Sequence, residues 1–229
     1  MTPDILGSPA TVAHETAHLI ADGELPTAIR VSLQRVALGL VVGGIVGALL
    51  ALFTGLTRVG EDLIDAPVQM LRTVPFAGLI PLLIVWLGVG ETPKIALIAL
   101  GVCFPLYINL LAGIRSADPG LLEVGRTLGL SRIGLVLHVV LPSALPNALV
   151  GVRIALGTSW LALVFAEQIS ATSGLGYLMS TAQELLQSDT IVVCLATYAV
   201  LGLLADLTVR GLERTLLRWQ PRFVIGTGR

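Results

Sequence analysis

His14-Glu15-Thr16-Ala17-His18 has the HExxH spacing of zinc proteases. On a helix, two histidines four residues apart share a face and can hold Zn²⁺, with the glutamate between them as general base. Such a site also needs a third ligand and a walled cleft. The third histidine, His138, lies far along the chain in a basic connection, and Val12, Leu19 and Ile20 make the segment read as an amphipathic interfacial helix. No metal site and no catalytic residue are expected. No GxxxxGK[ST] loop occurs, so the chain offers no phosphate cradle for ATP, and energy for any work must come from another subunit or an ion gradient. What remains are polar residues set in apolar surroundings. Gln69, Arg72, Asn109 and Ser159 are candidates to line an aqueous path, with helix–helix hydrogen bonding as the competing role. Arg72 falls near the cytoplasmic end of its stretch, where snorkelling is an equal reading. Glu167 closes another stretch as a gate residue or a solvated helix end. Gly174 and Gly176, with no Lys or Arg nearby, suit a tight re-entrant turn.

The elements that must position these residues are membrane helices. Of 229 residues, 55% are hydrophobic and 13% charged, against about 25% charged in a soluble domain. Mean hydropathy is +0.89. A net charge of -1 gives no sign of a nucleic-acid partner, and Cys103 and Cys194, both in apolar stretches, read as small hydrophobes. Stretches at 33–53, 67–87, 94–114, 146–166 and 190–209 each approach the roughly 20 residues a helix needs to cross a bilayer. The expected fold is an all-α polytopic membrane helix bundle of about five transmembrane helices, because backbone groups in lipid must be satisfied internally. Gly39, Gly43 and Gly47 form a small-residue stripe for close packing, expected within the chain rather than between copies. Pro75, Pro81 and Pro105 should kink or break spans two and three.

Basic residues set the orientation. Arg115, Arg126 and Arg132 mark the 115–145 connection, and Arg210, Arg214, Arg218, Arg222 and Arg229 mark the tail, so both are expected in the cytoplasm. Residues 1–30, with Asp4, Glu15, Asp22 and Glu24 against Arg30, fall outside. The expected division is an external segment with an amphipathic helix at 1–30, a transmembrane domain at 31–210 that includes the 115–145 connection, and a basic cytoplasmic tail at 211–229.

The 115–145 connection carries the strongest signal. It is too apolar for a free loop and too charged for a span, which suits a partner surface. Its spacing resembles the coupling loop of ABC import permeases: Glu123, Val124 and Gly125 at the Glu-Ala-Ala positions, then Gly129, Val139, Leu141 and Pro142. Both alanines are replaced, and Gly125 is expected to loosen the helix. The run 67–75, Trp86-Leu87-Gly88, Gly113-Ile114-Arg115 and the run 166–178 resemble the aliphatic sulfonate, taurine and nitrate branch; Ala205-Asp206 and the segment through Trp219 look closest to the aliphatic sulfonate permeases. One departure concerns Ile5-Leu6-Gly7-Ser8-Pro9, which resembles the segment following an additional first helix of those permeases.

The resemblance implies a type I ABC importer permease, a non-catalytic subunit of a bacterial inner-membrane importer for aliphatic sulfonates or a related small anion. It implies a loop docked in an ATPase subunit, which binds ATP and Mg²⁺. A periplasmic or lipoprotein binding protein would deliver substrate above the 167–178 vestibule, and a second copy of the chain would complete the path for alternating access. The alternative is an ion-coupled secondary transporter, but no internal repeat is evident.

Overall fold

The computed structural model describes residues 8–217 and 219. Ser8 caps the first helix by accepting the Thr11 N–H at 3.2 Å, and Pro9 occupies its first position, where no N–H is needed. This helix, α1 (Pro9–Ala21), turns at Gly23, φ 78°, into α2 (Glu24–Leu56). Thr57 ends α2 and caps α3 (Arg58–Leu71) through the Gly60 N–H at 2.9 Å. Then follow α4 (Phe76–Leu87), α5 (Glu91–Arg115), α6 (Pro119–Thr127) and α7 (Arg132–Leu135). A π turn (Val136–Val140) joins α7 to α8 (Leu141–Ser170), and α9 (Leu175–Glu184) and α10 (Ser188–Leu216) complete the chain.

Among the described residues, four helices are long and apolar enough to span a membrane: α2, α5, the continuous run 132–170, and α10. The span at 67–87 is discontinuous, broken as expected at Pro75. Its first part belongs to α3, its second to α4, and the chain leaves helical geometry between them at Arg72–Pro75. Proline disfavours helix at the residue before it and removes its own N–H, so Pro75 makes the break and then serves as the cap of α4. Pro81 and Pro105 remain inside α4 and α5.

The expected boundaries shift accordingly. α2 already begins at Glu24, so a division after residue 30 falls inside a helix. The α5–α6–α7 connection is shorter than 115–145: residues from Arg132 onward are helical. Pro142 reads in sequence as a loop end, but the Leu141 N–H reaches back to the Val136 carbonyl, and this wider turn lets the helix run through. α10 continues to Leu216 and absorbs Arg214; Arg218, Arg222, Arg229 and Ile5-Leu6-Gly7 lie outside the described residues. Nor does α1 turn its apolar face away from the bundle. Leu19 is buried with Leu25, Ala28, Leu175 and Val193, and Thr11 donates to Asp189 at 3.2 Å.

α5 is the centre of the bundle, packed between α2 and α8. The glycine stripe of α2 makes that approach possible. A Cβ at Gly39 would strike the Ile98 side chain, one at Gly43 the Ala99 carbonyl oxygen, and one at Gly47 the Cys103 carbonyl oxygen. The stripe therefore serves packing within the chain. Gly43→Val should force backbone apart and destabilise the bundle by about 1–3 kcal/mol. The measurement is thermal unfolding in detergent; a transition unchanged from the parent would refute this packing.

Candidate translocation and coupling sites

At the end of the bundle carrying the α4–α5 turn and α9, four charged side chains form one connected group. Arg35 of α2 is 3% exposed. Its Nε donates to Glu91 Oε2 at 2.6 Å and its Nη2 to Glu91 Oε1 at 2.7 Å, the two-pronged geometry that makes arginine–carboxylate pairs strong. Its Nη1 donates to Glu167 Oε1 at 2.7 Å and to the Ser173 carbonyl at 2.6 Å. Lys94, one turn into α5, donates to Glu91 at 2.9 Å. Two cations thus face two carboxylates, one of them buried and the other, Glu91, open to solvent.

Glu167 is the hub. It is fully buried at the end of α8 and also accepts from the Ser32 hydroxyl at 2.8 Å and the Gly176 N–H at 2.8 Å. Ser32 in turn accepts the Leu175 N–H at 2.9 Å. The first turn of α9 is therefore tied to α2 and α8 through a single carboxylate. Both glycines beside it are required by contact. A Cβ at Gly174, φ 110°, would overlap Glu167 Oε1, and one at Gly176 would come within 2.6 Å of the Glu167 Cβ. The turn at 174–176 is tight, as its sequence implies, but Glu167 is not a solvated helix end. Arg35 and Ser32 were invisible in the apolar pattern. The legible signal was a charge lying two residues inside the first apolar stretch, since such charges are seldom placed without a partner.

The remaining path candidates separate. Arg72 and Asn109 line a common open groove of about 330 Å³, together with Phe104, Ile108, Ile154 and Thr158. Its level is the middle of α5 and α8, not the end of a span, because α3 ends there and the chain breaks. Gln69 is half-buried on α3 and is absent from this lining. Ser159 is fully buried, and its hydroxyl is spent on the Leu156 carbonyl of its own helix at 2.7 Å, so it does not face the groove. In the N-terminal HExxH segment, Glu15 accepts from Thr190 at 2.8 Å and His18 Nδ1 lies 3.1 Å from Asp22. These side chains tie α1 to α10 and to its own C-terminus. Among the described residues, no cluster of three His, Cys, Asp or Glu side chains could hold a metal.

The connection between α5 and α8 is built as two short helices around Gly129. Asp118 caps α6 by accepting the Gly120 N–H at 2.8 Å, and Pro119 starts the helix. At its end, Gly129 has φ 81°; its N–H reaches the Arg126 carbonyl and that of Leu130 the Gly125 carbonyl, each at 3.0 Å. This paired arrangement is the Schellman ending, which favours glycine at the left-handed position. Ser131 then caps α7 through the Gly134 N–H at 3.1 Å. Gly125 is buried, and a Cβ there would sit 2.6 Å from the Leu135 side chain. Its glycine lets the two arms of the turn close on each other rather than loosening α6. Glu123 is the fifth residue of α6, one turn in; the acidic group at the helix start is Asp118. Outward, Leu128 is 77% and Ile133 72% exposed, and Leu121 and Val124 are also exposed. Leu141 and Pro142 lie in the helix beyond.

An all-helical polytopic bundle with a discontinuous span and an apolar-faced helical connection is the architecture of a membrane transport subunit. The chain belongs to the family of binding-protein-dependent transport system inner membrane components, whose pattern it matches over residues 37–218. It is 51% identical over 219 residues to the Escherichia coli (strain K12) protein named aliphatic sulfonates transport permease protein SsuC, covering 96% of this chain and 83% of that one. The taurine transport system permease protein TauC of the same organism is 36% identical over 86% of this chain and 72% of its own length. The nitrate import permease protein NrtB of Synechocystis sp. (strain ATCC 27184 / PCC 6803 / Kazusa) is 30% identical over 91% of this chain and 79% of its own. In fold, the chain superposes with a TM-score of 0.70 on a chain from the crystal structure of an amino acid ABC transporter with histidines, over 94% of this chain and 100% of that one at 18% identity. The protein is thus a multi-pass permease of the ABC importer class, and the ion-coupled alternative falls away.

Proposed function

We propose that this chain forms one half of a symmetric permease that imports aliphatic sulfonates, or a related small anion such as taurine or nitrate, by ATP-driven alternating access. The observation that carries the reading is the surface at 119–133. Its leucine, valine and isoleucine side chains face outward from two helices fixed by Asp118, Gly129 and Ser131. Apolar side chains on short rigid helices suit a groove in a second protein. An ATPase subunit, binding ATP and Mg²⁺, occupies that position, with the connection and the C-terminus in the cytoplasm. The Arg35–Glu167 group then lies at the outer end, beneath the place where a binding protein releases substrate, and holds the α9 turn closed against α2 and α8. The names of the relatives support the anion class.

Reconstitution of this chain with its ATPase and binding protein in proteoliposomes tests the reading. Uptake of labelled ethanesulfonate, taurine or nitrate should require external binding protein and internal ATP, with two copies of this chain per two ATPases. Uptake driven by an ion gradient without ATP, or one copy per two ATPases, would sink it.

A further inference from the structure

The groove at the break between α3 and α4 has a chemistry that its position in the bundle does not require. Arg72 is exposed within it, and among the described residues it has neither an ion-pair nor a hydrogen-bond partner. The contrast with Arg35, held by two carboxylates, is direct. Among the described residues, no carboxylate lines the groove. Phe104 lies roughly 17–20 Å from either end of α5 at 1.5 Å per residue, so the charge stands at the depth where a lone cation is costly. A cation held there calls for a neutralising group beyond the described residues.

The neighbouring polar groups say what that is. The Thr158 hydroxyl donates to backbone, at 2.6 Å to the Gly101 carbonyl, and offers the groove only lone pairs. Asn109 spends one amide hydrogen on the Pro105 carbonyl at 2.8 Å and keeps the other. Donors therefore come from Arg72 and Asn109, while Phe104, Ile108 and Ile154 supply an apolar wall. A guanidinium presents a planar fork that matches two oxygens of an oxyanion. We propose that this groove is a binding site for a small organic oxyanion, with Arg72 on the anionic head and the Phe104, Ile108 and Ile154 wall on its alkyl part. The site rests on the import reading for its occupant and deepens it: an alkyl-bearing sulfonate fits better than a bare inorganic anion, because inorganic anions leave the apolar wall unused.

The test uses the assembled complex in lipid, with Cys103 and Cys194 replaced by alanine and Ile108→Cys as a reporter on the groove wall. Two thiol reagents of matched size are compared, one a sulfonatoethyl and the other a trimethylammonioethyl methanethiosulfonate. The anionic reagent should react faster, and Arg72→Gln should lower the anion-to-cation rate ratio about tenfold. Arg72→Lys should restore most of the ratio, since it keeps the charge. Ethanesulfonate should slow the reaction more than inorganic sulfate does. A ratio untouched by Arg72→Gln overturns the site. So does equal protection by both anions, or a reporter that neither reagent reaches. An Arg72-dependent ratio in a complex that imports none of the anions supports the site and overturns the import reading instead.

Discussion

Glu167→Ala should destabilise the protein by about 3–5 kcal/mol, because it leaves Arg35 buried with one carboxylate in place of two. The loss spreads. The Gly176 N–H and the Ser32 hydroxyl lose their acceptor at the same time, so the first turn of α9 is released from α2 and α8 together. Thermal unfolding in detergent reads the first effect, and limited proteolysis at 170–176 reads the second. A double replacement, Arg35→Met with Glu167→Met, should recover part of the stability, since no Arg35 charge is left without its buried partner, although the Gly176 N–H still lacks its acceptor. If Glu167→Ala melts with the parent and resists protease equally, the group does not hold this end of the bundle. Glu91 reaches solvent itself but pairs with two buried cations, Arg35 and Lys94, so Glu91→Gln should also destabilise this end of the bundle.

Gly129→Asp should abolish or strongly weaken co-purification of the ATPase while membrane insertion stays at the parental level. The φ of 81° costs a non-glycine residue roughly 1–2 kcal/mol, with Asp and Asn the more tolerant types. A Cβ there meets nothing within 4 Å, so the substitution harms the outer surface rather than the turn's own packing. It places a carboxylate beside the exposed Leu128. Gly129→Asn separates the causes: it shares the backbone tolerance but carries no charge, and should retain most of the ATPase. Glu123→Ala, on the exposed face of α6, should weaken the complex more mildly. An intact, transporting complex from Gly129→Asp would remove the docking role from this connection.

Much of this was written in periodicity and punctuation. Apolar length marked the long helices, and Asp118, Pro119 and Gly129 bracketed α6 in sequence as they do in space. The glycine stripe announced a close helix approach, and its partner, α5, emerged only from the packing. What stayed hidden was long-range. Arg35 and Glu167 are 132 residues apart, and nothing local to either names the other. Glu167 read as either a gate residue or a solvated end because sequence shows where a helix stops, not what covers the stop. The break in the second span was legible in Pro75, whereas Pro81 and Pro105, read the same way, stay inside continuous helices. Ser159 misled for another reason: a hydroxyl on an apolar helix can be satisfied by the carbonyl of its own preceding turn.

The π turn has a mechanical consequence. By carrying the helix past Pro142 it makes 132–170 one continuous helix, with one tip beside the Gly129 turn and Glu167 near the other. It bears on α5 at three levels, Ala144 against Gly113, Gly151 against Leu106, and Thr158 against the Gly101 carbonyl. Arg132 and Glu167 are 35 residues apart, so about 50 Å of helix at 1.5 Å per residue joins the turn around Gly129 to the carboxylate that holds α9.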